Sequence, residues 1–168
     1  MPNFITNHLS EIIACSALFV AVQQAYLTRR HNRLSVKPHL TIDTKVEQTS
    51  FAVNLVNNGL GPAIIKDFKI ELNEICASNK NSQELEVILE ALFPANSSIT
   101  NNSTHISTVA TGYIMAQNKP KEILRAGFRE KDRSEVMKML TKLKFTVTYE
   151  SFYGDPGKFS TEENHLTN

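Results

Sequence analysis

Apolar positions divide this chain into one nearly unbroken hydrophobic stretch close to its start and a longer part in which they alternate or recur. From Ile12 to Val22 every residue is apolar or small except Ser16. Gln23 and Gln24 interrupt the run, and Ala25-Tyr26-Leu27 resumes it. At roughly 1.5 Å of rise per residue, a helix from Leu9 to Leu27 spans about 28 Å, just enough for a hydrocarbon core of about 30 Å. Glu11 then falls in the first turn near the headgroups, and Tyr26 at the opposite interface, where aromatic rings prefer to be. The stretch reads as a membrane-spanning helix. Its rival is an amphipathic helix buried in a soluble or oligomeric core, because the run is short and carries two glutamines. A cleaved secretory signal fits poorly, since such signals open with positive charge and no Lys or Arg precedes Arg29.

Beyond the span the pattern changes. Leu40–Val46 alternates with period two, as does Phe51–Val56, with Phe51, Val53 and Leu55 on one face; both predict half-buried strands. Asn57-Asn58-Gly59-Leu60-Gly61-Pro62-Ala63 is a dense turn signal in which Asn and Gly permit positive φ. Ala63–Leu72 reads as a longer strand presenting Ile64, Phe68, Ile70 and Leu72 together. Leu85, Ile88, Leu89 and Leu92 keep helical spacing before Pro94, with Asn81 and Ser82 as candidate caps. Residues 95–104 form a polar stretch expected to be an exposed, mobile loop. Ile106–Met115 is expected as a strand, and Lys119–Arg129 fits either a strand edge or a connector. Asp132 with Glu135 resembles a capping box opening a second helix through Val136, Met139, Leu140 and Leu143. Phe145, Val147 and Tyr149 begin a strand that runs to Tyr153. Gly154-Asp155-Pro156-Gly157 then turns the chain, and Lys158–Thr161 returns as the last strand.

The expected fold is mainly β (α+β): an N-terminal transmembrane helix followed by an antiparallel β-sandwich with two short peripheral helices. Its divisions are residues 1–28 for the N-terminal segment and span, 29–38 for a basic juxtamembrane connector, 39–161 for the sandwich, and 162–168 for a flexible tail.

Charge adds an orientation. The net charge is only +1, which argues against a nucleic-acid partner. The positive charge is local, at Arg29, Arg30, Arg33 and Lys37, on the C-terminal flank of the span alone. The positive-inside rule then places the sandwich in the cytoplasm and the N-terminus outside, in an inner membrane. The same cluster can bind anionic headgroups, which makes the bilayer itself a partner. Within the span, Ala14, Ala17, Ala21 and Ala25 recur at helical spacing beside Gln24. Small residues let two helices approach and a membrane-buried amide needs a partner, so this face is a candidate helix–helix interface with a second copy or another membrane protein. Cys15 and Cys76 lie far apart and form no disulfide framework. Asn96-Ser97-Ser98 and Asn102-Ser103-Thr104 match glycosylation acceptors, a match without consequence on a cytoplasmic face.

Candidate chemistry is sparse. No phosphate-loop, H-E-x-x-H, C-x-x-C, G-x-S-x-G or EF-hand pattern occurs. Gly59-Leu60-Gly61 leads into Pro62 and a strand, where a dinucleotide fingerprint requires a helix. His31 and His39 have no third ligand near them in sequence. Glu150 and Ser151 fall on opposite faces of one strand and cannot act as a pair. Arg125, Arg129, Lys131 and Arg133 are offset by Glu122, Glu130 and Asp132. No catalytic residue, cofactor or metal is therefore expected, and the protein is not expected to be an enzyme.

Three segments carry a resemblance: Arg30–Leu40, which reads Arg-His-Asn-Arg-Leu-Ser-Val-Lys-Pro-His-Leu; the turn with Asn57, Asn58, Gly59, Gly61 and Pro62; and Tyr149-Glu150-Ser151-Phe152-Tyr153-Gly154. With them the chain resembles a group of small, largely uncharacterised bacterial single-pass membrane proteins with a basic exit and a β-rich domain. The resemblance implies topology and brings no activity; residues 73–130 take no part in it. The expected function is a membrane-anchored, non-catalytic protein-interaction module, self-associating through its anchor. The alternative is a membrane-tethered sensor of a small ligand or nucleotide. A large apolar pocket with converging polar groups favours the sensor, and an exposed apolar patch or strand edge favours the module.

Overall fold

The computed structural model describes residues 2–79, 83–92, 99–129 and 133–164. The chain divides into two compact units, Met1–Val36 and Lys37–Asn168.

The first unit is one helix, α1 (Pro2–Ser35). Its segment His8–Ser35 is long and apolar enough to cross a membrane, and none of it is buried. A helix belonging to the core of its own soluble chain hides an apolar stripe; α1 leaves its whole circumference bare. Ser16 does not interrupt it, because its hydroxyl donates back to the Ile13 carbonyl at 2.8 Å. The basic stretch from Arg29 to Ser35 is helical as well. It contains neither Gly nor Pro, and the helix stops only as Pro38 approaches, since proline disfavours helical geometry in the residue before it.

The second unit contains β1 (Leu40–Val46), β2 (Ser50–Asn57), β3 (Ala63–Leu72), β4 (Ile75–Ser78), α2 (Gln83–Leu92), β5 (Ile99–Ile106), β6 (Ile114–Met115), β7 (Lys121–Phe128), α3 (Arg133–Leu140), β8 (Leu143–Ser151), β9 (Pro156–Ser160) and α4 (Thr161–Asn164). One sheet runs β1-β2-β7-β5 and the other β4-β3-β8-β9, with β6 pairing against the start of β3. This is the expected sandwich-like α+β architecture. Phe51, Val53 and Leu55 of β2 and Leu124, Ala126 and Phe128 of β7 share one core with Phe68, Ile70 and Leu72 of β3 and Phe145 and Val147 of β8. Fully burying each such large side chain contributes about 1.5–3 kcal/mol. Helix α2 adds Leu85, Ile88 and Leu92, and α3 adds Val136, each at helical spacing on the covered side.

Two bulges account for where simple alternation misleads. In β3, Ile65 pairs with Tyr149 and Asp67 with Thr148, so Lys66 is an extra residue. The extra residue inverts the phase: Ala63 and Ile65 are buried before it, Phe68, Ile70 and Leu72 after it, and Ile64 is not on the core face. In β7, Val53 pairs with Leu124 and Asn54 with Glu122, which leaves Ile123 extra. Ile123 and Leu124 are consequently both buried, and the stretch that fitted strand edge or connector is a central strand between β2 and β5.

Other expectations need correction. Residues 99–104 belong to β5 rather than to a loop, whereas 107–113 is not strand and β6 has only two residues. The last strand begins at Pro156, and the chain after it forms the single turn α4. That turn is held by Thr161 Oγ1, which accepts the Phe145 amide at 3.0 Å, and by an ion pair between Lys144 and Glu162. Asn81, Ser82, Pro94, Asn96 and Asp132 lie outside the described residues.

At the end of the sandwich where the chain enters at Lys37, the β2–β3 and β6–β7 connections both pass from one sheet to the other. Asn57, fully buried, joins them. Its Nδ2 donates to the carbonyls of Gly61 (2.8 Å) and Met115 (3.0 Å), and its Oδ1 accepts from the amides of His39 (3.1 Å) and Gly59 (3.0 Å). Its own carbonyl accepts the Asn118 amide at 2.8 Å. Asn58 extends the clamp, donating from its backbone to the His39 carbonyl at 2.8 Å and from its side chain to Thr41 Oγ1 at 2.8 Å. The turn does not use positive φ: the described residues with positive φ are Asn73, Gly112, Asn118 and Gly154. Gly59 is required for close approach instead. A Cβ there would lie 2.4 Å from both the Lys37 carbonyl oxygen and the His39 nitrogen.

Replacing Asn57 by Ala strands two backbone donors and two acceptors, at about 1–3 kcal/mol for each buried group left unpaired. We expect Asn57→Ala and Gly59→Ala each to lower the melting temperature of the detergent-purified protein by about 10 °C or more. Asn58→Ala, which removes one exposed bond, should cost less than about 4 °C. An Asn57→Ala melt coincident with the parent's would remove the amide from its joining role.

Candidate functional site

The sequence-derived residues fall in two places. Ala14, Ala17, Ala21, Gln24 and Ala25 all lie on α1 and are exposed. At 3.6 residues per turn they occupy about 100° of its circumference. Arg29, Arg30 and Arg33 lie on the last turns of the same helix, within a comparable arc, and Lys37 is exposed at the start of the second unit. Asn57, Asn58, Gly59, Gly61 and Pro62 form the corner against Lys37–His39.

The third resembling segment reaches that corner too. Tyr149 is buried, and its phenol is pushed up by desolvation, opposed by a backbone hydrogen bond from Leu40 in the facing sheet. Its ring crosses β9 at Gly157, where a Cβ would come within 2.5 Å of ring carbons. Ser151 pairs in register with Ala63 at the start of β3. Its hydroxyl accepts the Tyr153 and Asp155 amides, each at 3.1 Å, and donates to Asp155 Oδ2 at 3.2 Å. The serine is therefore a turn clamp. Glu150 faces the other way and pairs with Lys66 at 2.6 Å.

Around this corner sits a group of side chains that pattern reasoning passed over. The exposed large apolar residues described in the second unit are Leu60, Val87, Tyr113, Ile114, Met137, Phe152 and Tyr153. All but Val87 on α2 and Met137 on α3 lie at the end where the chain enters. Leu60 (64 % exposed) is in the β2–β3 turn, Ile114 (62 %) pairs with Ile64 at the start of β3, and Phe152 (75 %) tips the β8–β9 hairpin. Phe152 and Tyr153 stack edge to face with centroids 6.3 Å apart. A signal was present in the sequence: Leu60 stands alone inside a turn otherwise built of Asn, Gly and Pro, and Phe152-Tyr153 leads directly into Gly154-Asp155-Pro156, where turn chemistry has no use for large apolar side chains.

The clefts are of another kind. One of about 350 Å³ lies on the outer face of the first sheet, with Ala52 as a low floor between Lys45 and Arg125, its neighbours in register. Four of its polar groups engage one another in pairs: Arg125 donates to Glu122 Oε2 at 2.9 and 2.6 Å, which raises the guanidinium pKa further, and Ser50 donates to Glu47 at 2.8 Å. An open groove of about 410 Å³ on the second sheet is bordered by Lys66, Thr148, Glu150 and Lys158. Cys76 is exposed, yet partial desolvation and then the Glu71 carboxylate push its thiol up, away from the reactive thiolate. Among the described residues no group of three His, Cys, Asp or Glu side chains is placed to hold a metal ion. What the molecule offers chemically is surface: a bare apolar helix, a basic flank, and an apolar rim on a rigid corner. No protein-family model and no curated protein matches the chain.

Proposed function

We propose that this protein is a single-pass, membrane-anchored interaction module that works by binding and not by catalysis. Helix α1 crosses the inner membrane with the N-terminus outside, the sandwich stands in the cytoplasm, and copies associate through Ala14, Ala17, Ala21 and Ala25 with Gln24 turned toward the partner helix. The observation that carries this reading is the bare circumference of α1 from His8 to Ser35. A helix of that length and hydropathy needs lipid or another helix around it. The arginines confined to its C-terminal flank support the orientation. That Lys37–Leu40, the Asn57–Pro62 turn and the end of β8 come together within the second unit supports kinship with the small bacterial single-pass proteins. The sensor alternative draws less support, because in the first cleft Arg125 and Ser50 are engaged by Glu122 and Glu47 and the second is a shallow groove open to solvent, whereas ligand sites are concave and enclosing.

Two outcomes test the reading. Ala21→Leu puts a bulky side chain at the centre of the alanine face, so crosslinked oligomers in native membranes should fall several-fold; an unchanged ladder would remove the case for that face. Moving Arg29, Arg30 and Arg33 to positions before Leu9 should invert the sandwich, reported by a fused enzyme active in one compartment only. A fusion that stays cytoplasmic would sink the charge argument.

A further inference from the structure

We infer that the apolar rim at the corner of the sandwich is a lipid-contacting surface: Leu60, Ile114 and Phe152 enter the interface of the same bilayer that α1 crosses, with Tyr113 and Tyr153 at headgroup depth. The inference rests on α1 being a membrane span and adds to it a second point of membrane contact.

Covalent reach comes first. If Leu27 marks the edge of the hydrocarbon, the rest of α1 to Ser35 adds about 12 Å, and Val36-Lys37 adds at most about 7 Å. Lys37 is thus confined within about 19 Å of the hydrocarbon, and headgroups already occupy several ångströms of that distance. The rim is built on the same corner as Lys37. Gly59, the neighbour of Leu60, abuts the Lys37 carbonyl and His39 amide, and Asn57 ties His39 to Met115, the neighbour of Ile114.

Composition and shape come second. The rim is a set of tips on three separate loops or strand ends, aliphatic and aromatic, rather than one flat face. Leucine, isoleucine and phenylalanine partition into the acyl boundary and tyrosine prefers the interface. Lys37 and Lys119 are exposed at the same end, and Arg29, Arg30 and Arg33 precede it, so cations accompany the apolar tips as an anionic leaflet demands. Val87, exposed on α2 among Glu84, Glu86 and Glu90, has neither tether nor neighbouring cation and serves as the control.

The test uses the full chain with Cys15→Ser and Cys76→Ser, reconstituted in vesicles of phosphatidylcholine with a minor share of phosphatidylglycerol. Single cysteines (Leu60→Cys, Ile114→Cys, Phe152→Cys, Val87→Cys and, in the span on the side away from the alanines, Phe19→Cys) carry an environment-sensitive fluorophore; lipids spin-labelled near the headgroup quench the sandwich probes, and lipids labelled along the acyl chain quench the span probe. We expect the three rim probes to be blue-shifted and quenched about threefold more than the Val87 probe, as interfacial insertion requires. Adding Phe152→Asp should return the Leu60 and Ile114 probes toward the Val87 value. Rim probes no more quenched than Val87, alongside a quenched Phe19 probe, would overturn the rim and leave the span intact. An unquenched Phe19 probe would overturn both. Rim probes shielded from aqueous iodide but not quenched by lipid, with shielding that rises with protein density, would assign the rim to a second copy and overturn the lipid contact.

Discussion

The side chain of Asn57 is buried at the one corner where three stretches of backbone turn at once: the arriving chain at His39, the β2–β3 turn, and the β6–β7 passage. Each brings backbone groups out of strand pairing, and buried groups of that kind must find partners or destabilise the fold. A single amide, with two donors and a twofold acceptor, has the valence to serve all of them. Aspartate lacks the donors, and leucine lacks everything but the volume. The position of the chain's arrival, the crossing of the sheets and the aim of the Leu60 and Ile114 loops therefore share one mechanical origin.

Rigidity of this corner connects structure to the proposed role. An apolar side chain on a floppy loop folds back onto the protein's own surface. Here Asn57 and Gly59 brace the Leu60 turn, while Ser151 and Gly154 brace the hairpin beneath Phe152. The tips are held outward by polar contacts behind them, at a cost in exposed apolar surface that burial against lipid, as inferred above, would relieve.

The second lesson concerns phase. Strand patterning assumes that each residue advances the side chain to the opposite face, which Lys66 and Ile123 violate by adding one residue to a strand without adding one to its neighbour. Which residue bulges depends on the partner strand, and no local pattern reports it. For that reason simple alternation puts Ile64 on the core face, where it does not lie, and the adjacent buried pair Ile123-Leu124 hides a central strand.

Much of this protein was legible from its residues alone. The uninterrupted run from Ile12 to Val22, the arginines after it, the alternation in β1 and β2, the stripes of α2 and α3 and the Gly154–Gly157 turn are local properties, because hydrophobic period and turn chemistry act over a few residues. The turn at Asn57-Asn58-Gly59 was legible as a turn, but its reason was not. Glycine is there because the backbone of Lys37–His39 passes against it, and asparagine because Met115, distant in sequence, presents a carbonyl to it. The convergence of Leu60, Ile114 and Phe152 was likewise decided by tertiary structure. Antiparallel pairing of β3 with both β6 and β8 brings residues from three distant segments to one end, and contact across such separations follows from sheet order and register, which sequence neighbours do not encode.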